Sequence, residues 1–461
     1  MFELNPRKQS PLLGLTGMGG GIAAGGALGG ADGYWILTIG DDGSTTYGTG
    51  KGIDVDSDGN VYVAGTIGSD GYVAKIKGNG SLAWDVEMVD GTCENIMVGS
   101  AGIYMQGDHS TSCIFAKMSA ADGSVSWQTT STTATGNYKR HAVLNDSLGV
   151  IYATGQKSTD VEGGGGDGLV IACGVDGTID WARRFGSGAH DARTHCGIDY
   201  CSGTGSNTSA NDLIFWGSYN PHGHSTEKAN GERIAASDGT RYGSNSVFGV
   251  QGSSWTRSDD VKVTTNDDII FIGQYMEASG GPFIIKMQQS SWGTFDWQRK
   301  YDTTNATTFR ALFVDKEATG SELNANYCAG WTTSHGESWS ETAGLLVKYN
   351  ASGTIQWQRA LAKSNTHIEF HEIKIVGDIL YVVGHEGSGD TRRLIVFKVL
   401  KDGTMTGTYG SYIYKTLSNT DAGTSKTNYT LSITNAAHSH TEASSSKTFQ
   451  AISPTVTKES L

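Results

Sequence analysis

One short signature recurs along the chain and constrains its architecture more than any other feature: an apolar strand closed by glycine. VYVAG ends at Gly65, IYMQG at Gly107, IYATG at Gly155, LIFWG at Gly217, IIFIG at Gly273, NYCAG at Gly330 and LYVVG at Gly384. Successive glycines lie 42, 48, 62, 56, 57 and 54 residues apart. A second signature follows most of these: an apolar strand carrying Lys, a polar Gly turn, then Trp. YVAKIKGNGSLAW ends at Trp84, IFAKMSAADGSVSW at Trp127 and LVIACGVDGTIDW at Trp181. FIIKMQQSSWGTFDW ends at Trp297 and LLVKYNASGTIQW at Trp357. The fourth unit is degenerate, with ERIAASDGTRYG in place of the Lys strand and Trp, and the last unit has Gly407 at the Trp position.

Each unit holds about four strands: one before an Asp-rich turn, one ending in Gly, one carrying Lys and one starting at Trp. Four short strands every 40 to 60 residues is the period of a propeller blade. Such a blade buries its faces only by stacking against neighbours. The reading is therefore all-β, a seven-bladed β-propeller spanning residues 34–410. Its seventh unit lacks a Trp strand, and an unclaimed one stands at the other end of the chain, YWILTIG, Tyr34 to Gly40. That N-terminal strand is expected to complete the last blade and close the ring, removing a free sheet edge.

The stretch GIDVDSDGNVYVAG contains D-x-D-x-D-G, the first half of an EF-hand loop. A loop starting at Asp54 needs a bidentate Glu at its twelfth position, and that position is Gly65. The flanking residues are β-branched and aromatic, so the run reads as two strands joined by an Asp-Ser-Asp-Gly turn.

Glycine is 65 of 461 residues and proline only 5, which fits tight turns and disfavours a Pro-rich linker. The net charge of −13 disfavours nucleic acid or an anionic membrane as partner. The six cysteines (93, 113, 173, 196, 201, 328) form no framework or CxxC. Most replace apolar residues in strands, and a Cys196–Cys201 bridge is left open. At the N-terminus, Arg7 and Lys8 precede twenty uncharged residues, Pro11 to Gly30. That order is a signal peptide's. Nine of the twenty are Gly, however, which lowers helix propensity and hydrophobicity. Residues 1–33 are read as an uncleaved Gly-rich docking arm rather than a membrane span, with Pro11, Leu12, Leu13, Leu15 and Met18 as its contacts. Residues 411–461, rich in Ser and Thr, read as a second arm.

Long loops cluster where second strands pass to third: 156–168, 218–228 and 331–344. Loop elaboration on one face of a rigid scaffold is how binding surfaces arise. Tyr219, Trp331 and Trp339 with His222, His224 and His335 suit stacking and hydrogen bonding to a sugar; ordinary polar loops are the alternative. His190, His195, Cys196, His222 and His224 are close in sequence, without metal-ligand spacing. His367 and His371 lie four apart in a loop-to-strand region, where helical spacing has no metal meaning. The repeated Lys (75, 117, 286, 348, 398) reads as an architectural contact. GGGG at 163–166 is no phosphate cradle, and no catalytic, metal or cofactor set is read.

The units GIDVDSDGNVYVAG and LLVKYNASGTIQWQR resemble bacterial β-propeller repeats. The opening SPLLGLTGMGGG resembles the N-terminal stretch of structural proteins of marine phages, especially cyanophages. The resemblance implies a virion component assembled in the host cytoplasm, of the tail or its fibres, without enzymatic activity. Its partners would be tail, adaptor or capsid subunits, further copies of itself and a host surface glycan. A secreted or cell-surface propeller is the first alternative. A glycan-active enzyme using Asp191, Glu227 or Glu337 is the second.

Overall fold

The computed structural model describes residues 33–40 and 47–417, apart from loop stretches at 110–111, 132–135, 138–140, 158–166, 186–191, 205–210, 221–227, 241, 243–245, 251–254, 277–280, 290–294, 302–305, 334 and 338–339. In the arms it describes only the short strands named below.

The chain is a seven-bladed β-propeller. Blade 1 runs from the inside outward as Gly48–Val55, Val61–Ile67, Asp70–Ile76 and Leu82–Met88, all antiparallel. Blades 2 to 6 repeat this order, with inner strands Gly91–Gly99, Ala142–Asn145, Ala192–Tyr200, Trp255–Val263 and Thr307–Asp315. Blade 7 takes Ile368–Val376, Ile379–Glu386 and Arg393–Leu400 from the end of the ring. Its fourth strand is Trp35–Ile39, with Trp35 opposite Lys398. The ring is thus closed by the N-terminal strand.

The turn at Asp54–Asn60 is a hairpin. Asp56 Oδ1 accepts the amides of Asp58 and Asn60 at 3.0 and 2.9 Å, and the Tyr62 hydroxyl donates to Oδ2 at 3.0 Å. The carboxylate is spent on its own turn.

In six blades the Gly that closes the second strand faces an irregularity in the inner strand. In blades 1, 2, 4, 5, 6 and 7 the inner strand bulges at Lys51, Glu94, Cys196, Asp259, Arg310 and His371. A bulge inserts one unpaired residue and pushes the backbone towards its partner. A Cβ on Gly65 would lie 2.1 Å from the Thr49 carbonyl oxygen, and one on Gly384 would lie 1.9 Å from that of Glu369. The signature glycine is therefore the space the bulge needs.

The Trp signature latches six of the seven blades to the next. Trp84 Nε1 donates to the Ala120 carbonyl of blade 2 at 3.1 Å, and Lys75 Nζ donates to the same oxygen at 2.9 Å. Trp127 reaches Val175, Trp181 reaches Ala236 and Trp297 reaches Ala351, each one blade on. Trp35 and Lys398 of blade 7 converge on Gly78 of blade 1, so closure uses the same device. The indole lies on the next blade's turn glycine, as Trp297 lies on Gly353 (φ +76°). The repeated Lys also sits over the second-strand Tyr, 5.3 Å for Lys75 and Tyr62, and is architectural. The apolar clusters lie between blades: Val61, Val63 and Tyr72 pack with Leu37 and Val396 across the closing junction. Cys201 is a buried free thiol, so no bridge to Cys196 forms.

Both arms contribute further strands outside the four of each blade. Leu13–Gly14 pairs with Trp35–Ile39 on blade 7, and Leu4–Pro6 with Leu82–Met88 on blade 1. From the other end, Tyr412–Thr416 pairs on blade 6, Asn428–Tyr429 on blade 5 and Ile433–Thr434 on blade 4. Gln450–Ala451 and Val456–Ser460 then pair on blades 3 and 2. The C-terminal segment thus visits blades in the reverse of chain order, and the outer edge of every blade carries an arm strand.

Candidate functional site at the channel mouth

Inner strands surround the propeller axis, so each blade delivers a few side chains to a shared channel. At its middle lies a cavity of about 300 Å³ lined by Asp54, Asn95, His141, Asp199, Glu372 and Lys374, among others. Its charges are matched. Lys374 Nζ is 2.7 Å from Asp54 Oδ1, Lys262 Nζ 2.9 Å from Asp260 Oδ1 and Lys316 Nζ 3.1 Å from Asp199 Oδ2. The same carboxylates cross to the next blade. Asp54 accepts the Val98 amide at 2.8 Å, Asp199 that of Val263 at 2.8 Å and Asp260 that of Leu312 at 2.9 Å. His141 Nδ1 stands 3.7 Å from both Asp260 and Glu372. Burial, then the neighbouring Asp260, pushes the Glu372 carboxyl above the ordinary range. This middle layer is mainly structural: Asp54, Asp199 and Asp260 each help hold two blades together.

The mouth on the long-loop side is different. Here the bulged residues include Lys51, Glu94, Asp259, Arg310 and His371. Lys51 pairs with Glu94, and Arg310 Nη1 lies 3.5 Å from Asp259 Oδ1. In blade 7, Glu369 and His385 are cross-strand partners and His371 is the bulged residue beside them. The two imidazoles meet edge to face at 5.1 Å between centroids. His371 Nε2 is 3.9 Å from a Glu369 oxygen, too long for a hydrogen bond. Burial pulls the His371 pKa down and, with His371 adjacent, that of His385 to about 3. Burial would raise the Glu369 carboxyl, but His371, His385 and Arg310 outweigh it and hold it below the usual range. The ligand-type atoms of Glu369, His371 and His385 all lie within 4.8 Å of one another. Among the described residues these three are the ones whose chemistry and spacing could hold a metal ion.

The loop residues singled out from sequence are placed as follows. His335 is buried, its Nε2 2.7 Å from the Glu341 carbonyl, with the Glu337 amide 3.4 Å from Nδ1, so it organises its own loop. Trp331 is half-buried in the second strand of blade 6, its Nε1 enclosed without a partner. Tyr219 lies in the strand Leu213–Asn220, opposite Arg193. His222, His224 and Trp339 lie outside the described residues, as do Asp191, Glu227 and His190. Glu337 forms an ion pair at 2.8 Å with Lys415 of the outer strand Tyr412–Thr416. Of the arm residues, Leu13 is in the strand on blade 7; Pro11, Leu12, Leu15 and Met18 lie outside the described residues. His367 turns to Thr342, 3.2 Å away, instead of joining His371. Sequence reasoning missed the mouth cluster. The one available signal was Glu369-Phe370-His371, an alternation that puts two polar groups on one strand face.

No known protein family matches the chain, and no curated protein matches it in sequence. Among solved structures it is similar to a polysaccharide lyase, Uly1, at 11% identity and a TM-score of 0.45, over 76% of this chain and 90% of that one. It is similar to a puromycin hydrolase at 8% identity and a TM-score of 0.42, over 73% of this chain and 50% of that one. The Drosophila Semaphorin 1a extracellular domains 1–2 align at 8% identity and a TM-score of 0.43, over 79% and 87%. At these distances the activities stay with the proteins that carry them.

Proposed function

We propose that the chain is a structural component of a phage virion, in the tail or its fibres. It acts as a rigid ring whose loop-bearing face binds another virion subunit or the host surface. The proposal begins from the likeness of SPLLGLTGMGGG to the N-termini of marine phage structural proteins. The observation that carries it further is the lacing of the outer edges: strands of both arms lie on all seven blades. Unpaired outer strands invite uncontrolled sheet extension. A ring sealed in this way presents only its two faces for assembly. The matched charges of the channel interior fit a scaffold better than a reaction vessel.

Mass spectrometry of purified particles tests the reading. The expected result is the chain in the particle at a fixed copy number, with peptides from residues 1–33 intact. Absence from particles overturns it. A mature chain starting near residue 31 would point instead to an exported propeller.

A further inference from the structure

Glu369, His371 and His385 form a group that the scaffold reading does not use. Three observations bear on it. First, Glu369 and His385 are cross-strand partners, and His371, two residues on at the bulge, alternates onto the same strand face as Glu369. Second, His371 Nε2 and His385 Nδ1 are buried without a hydrogen-bond partner, and the His385 side chain is almost fully enclosed. A buried polar atom left unpaired costs free energy that an ion would recover. Third, the other charges of the mouth have partners of their own: Lys51 has Glu94, and Arg310 has Asp259. Among the described residues of the mouth, Glu369 is a carboxylate placed to face a cation beside the two imidazoles.

We propose that Glu369, His371 and His385 bind one divalent first-row transition-metal ion of the zinc, cobalt or nickel kind. Two imidazoles and one carboxylate match the borderline-soft preference of these ions, whereas calcium and magnesium take oxygen donors. With bonds of about 2.0–2.1 Å, ligand atoms in a tetrahedral site lie about 3.3 Å apart. The three groups, now within 4.8 Å, would draw together by about 1.5 Å on binding. Three protein ligands leave the fourth position of a tetrahedral ion for water or for an anionic group of a bound partner. The inference is independent of the virion reading, since a metal at the mouth suits any ligand met by this face.

The test uses the full chain, stripped with chelator. Calorimetric titration with zinc chloride is expected to give one ion per chain at micromolar affinity or better, and cobalt(II) a visible absorption band. His371→Ala and His385→Gln should each weaken zinc by at least ~100-fold, more than losing a group that merely hydrogen-bonds a ligand. His367→Ala should leave binding unchanged. X-ray absorption of the zinc-loaded native chain should show scattering from two imidazoles, which keeps the test decisive if a variant misfolds. No binding at millimolar zinc overturns the proposal. So does binding that survives the double His371, His385 substitution, or an absorption spectrum without imidazole.

Discussion

Two kinds of junction hold this ring together. Six join through a Trp of one blade laid on the turn glycine of the next: Trp35 on Gly80, Trp84 on Gly123, Trp127 on Gly177, Trp181 on Gly239, Trp297 on Gly353 and Trp357 on Gly403. The junction of blades 4 and 5 is built otherwise. Tyr242 stands where the Trp would be, its amide bonded to the Arg233 carbonyl and its ring under that guanidinium at 4.6 Å. It is 40% exposed. Instead Trp216, in the second strand of blade 4, is fully buried and stacks on Phe271 of blade 5 at 4.2 Å. The Asp199 bridge to Val263 persists at the channel. Apolar area near the rim has been exchanged for apolar area deep in the interface. A repeat can lose its signature and keep its fold when another aromatic fills the same gap between sheets.

The largest effect should come from breaking closure. Removing residues 33–40 leaves blade 7 three-stranded and unlatched from blade 1, and the chain should lose its cooperative urea transition. Trp35→Ala, which empties a side chain only 3% exposed, should cost about 3–5 kcal/mol in the same assay.

Next, Trp216→Ala and Trp297→Ala compare the two junction types directly. Both remove an indole, and the expected loss is about 4–5 kcal/mol for the interior Trp216 and about 3 kcal/mol for the rim Trp297. Equal losses, or the reverse order, would remove the distinction between interior and rim packing.

A glycine pair isolates the latch from backbone strain. Gly353 and Gly59 have φ of +76° and +77°, but a Cβ on Gly353 would lie 2.7 Å from Trp297 while one on Gly59 meets nothing. Gly59→Ala should cost about 1–2 kcal/mol for the left-handed conformation alone, and Gly353→Ala about 1–3 kcal/mol more. Thermal melting of both reads the difference. Tyr242→Ala should be nearly silent, within about 0.5 kcal/mol, because nothing is latched there.

The smallest effect expected is one of pH. Burial would raise the Asp56 pKa, but the Asn60 side chain and amide, with the Tyr62 hydroxyl and the Asp58 amide, outweigh it and depress it below 3.8. The unfolded chain then binds more protons in that window, so stability present above pH 3.8 is lost as pH falls through the folded value. Asp56→Asn should flatten that part of the acid melting curve.

The glycine and Trp signatures revealed the fold because each is a local device with fixed neighbours. Gly65 answers a bulge in the adjoining strand, and Gly80 answers one indole. Tyr242 was legible as the degenerate fourth unit for the same reason. The mouth was not legible. Lys51, Glu94, Asp259, Arg310 and His371 come one from each of five blades, and no spacing in sequence records that they share an axis. Trp216 was read as ordinary strand, since nothing local says which sheet it faces. The arm strands of two to five residues lie in Gly- or Ser-rich sequence whose pairing is decided by the edge they meet.

The proposal that this seven-bladed ring serves as a virion part is tested most directly by cryo-microscopy of purified particles. It predicts seven blades, each with a fifth outer strand, and the long-loop face against another subunit or turned outward. Particles without such a ring, or a ring whose arms leave its blade edges bare, would contradict it.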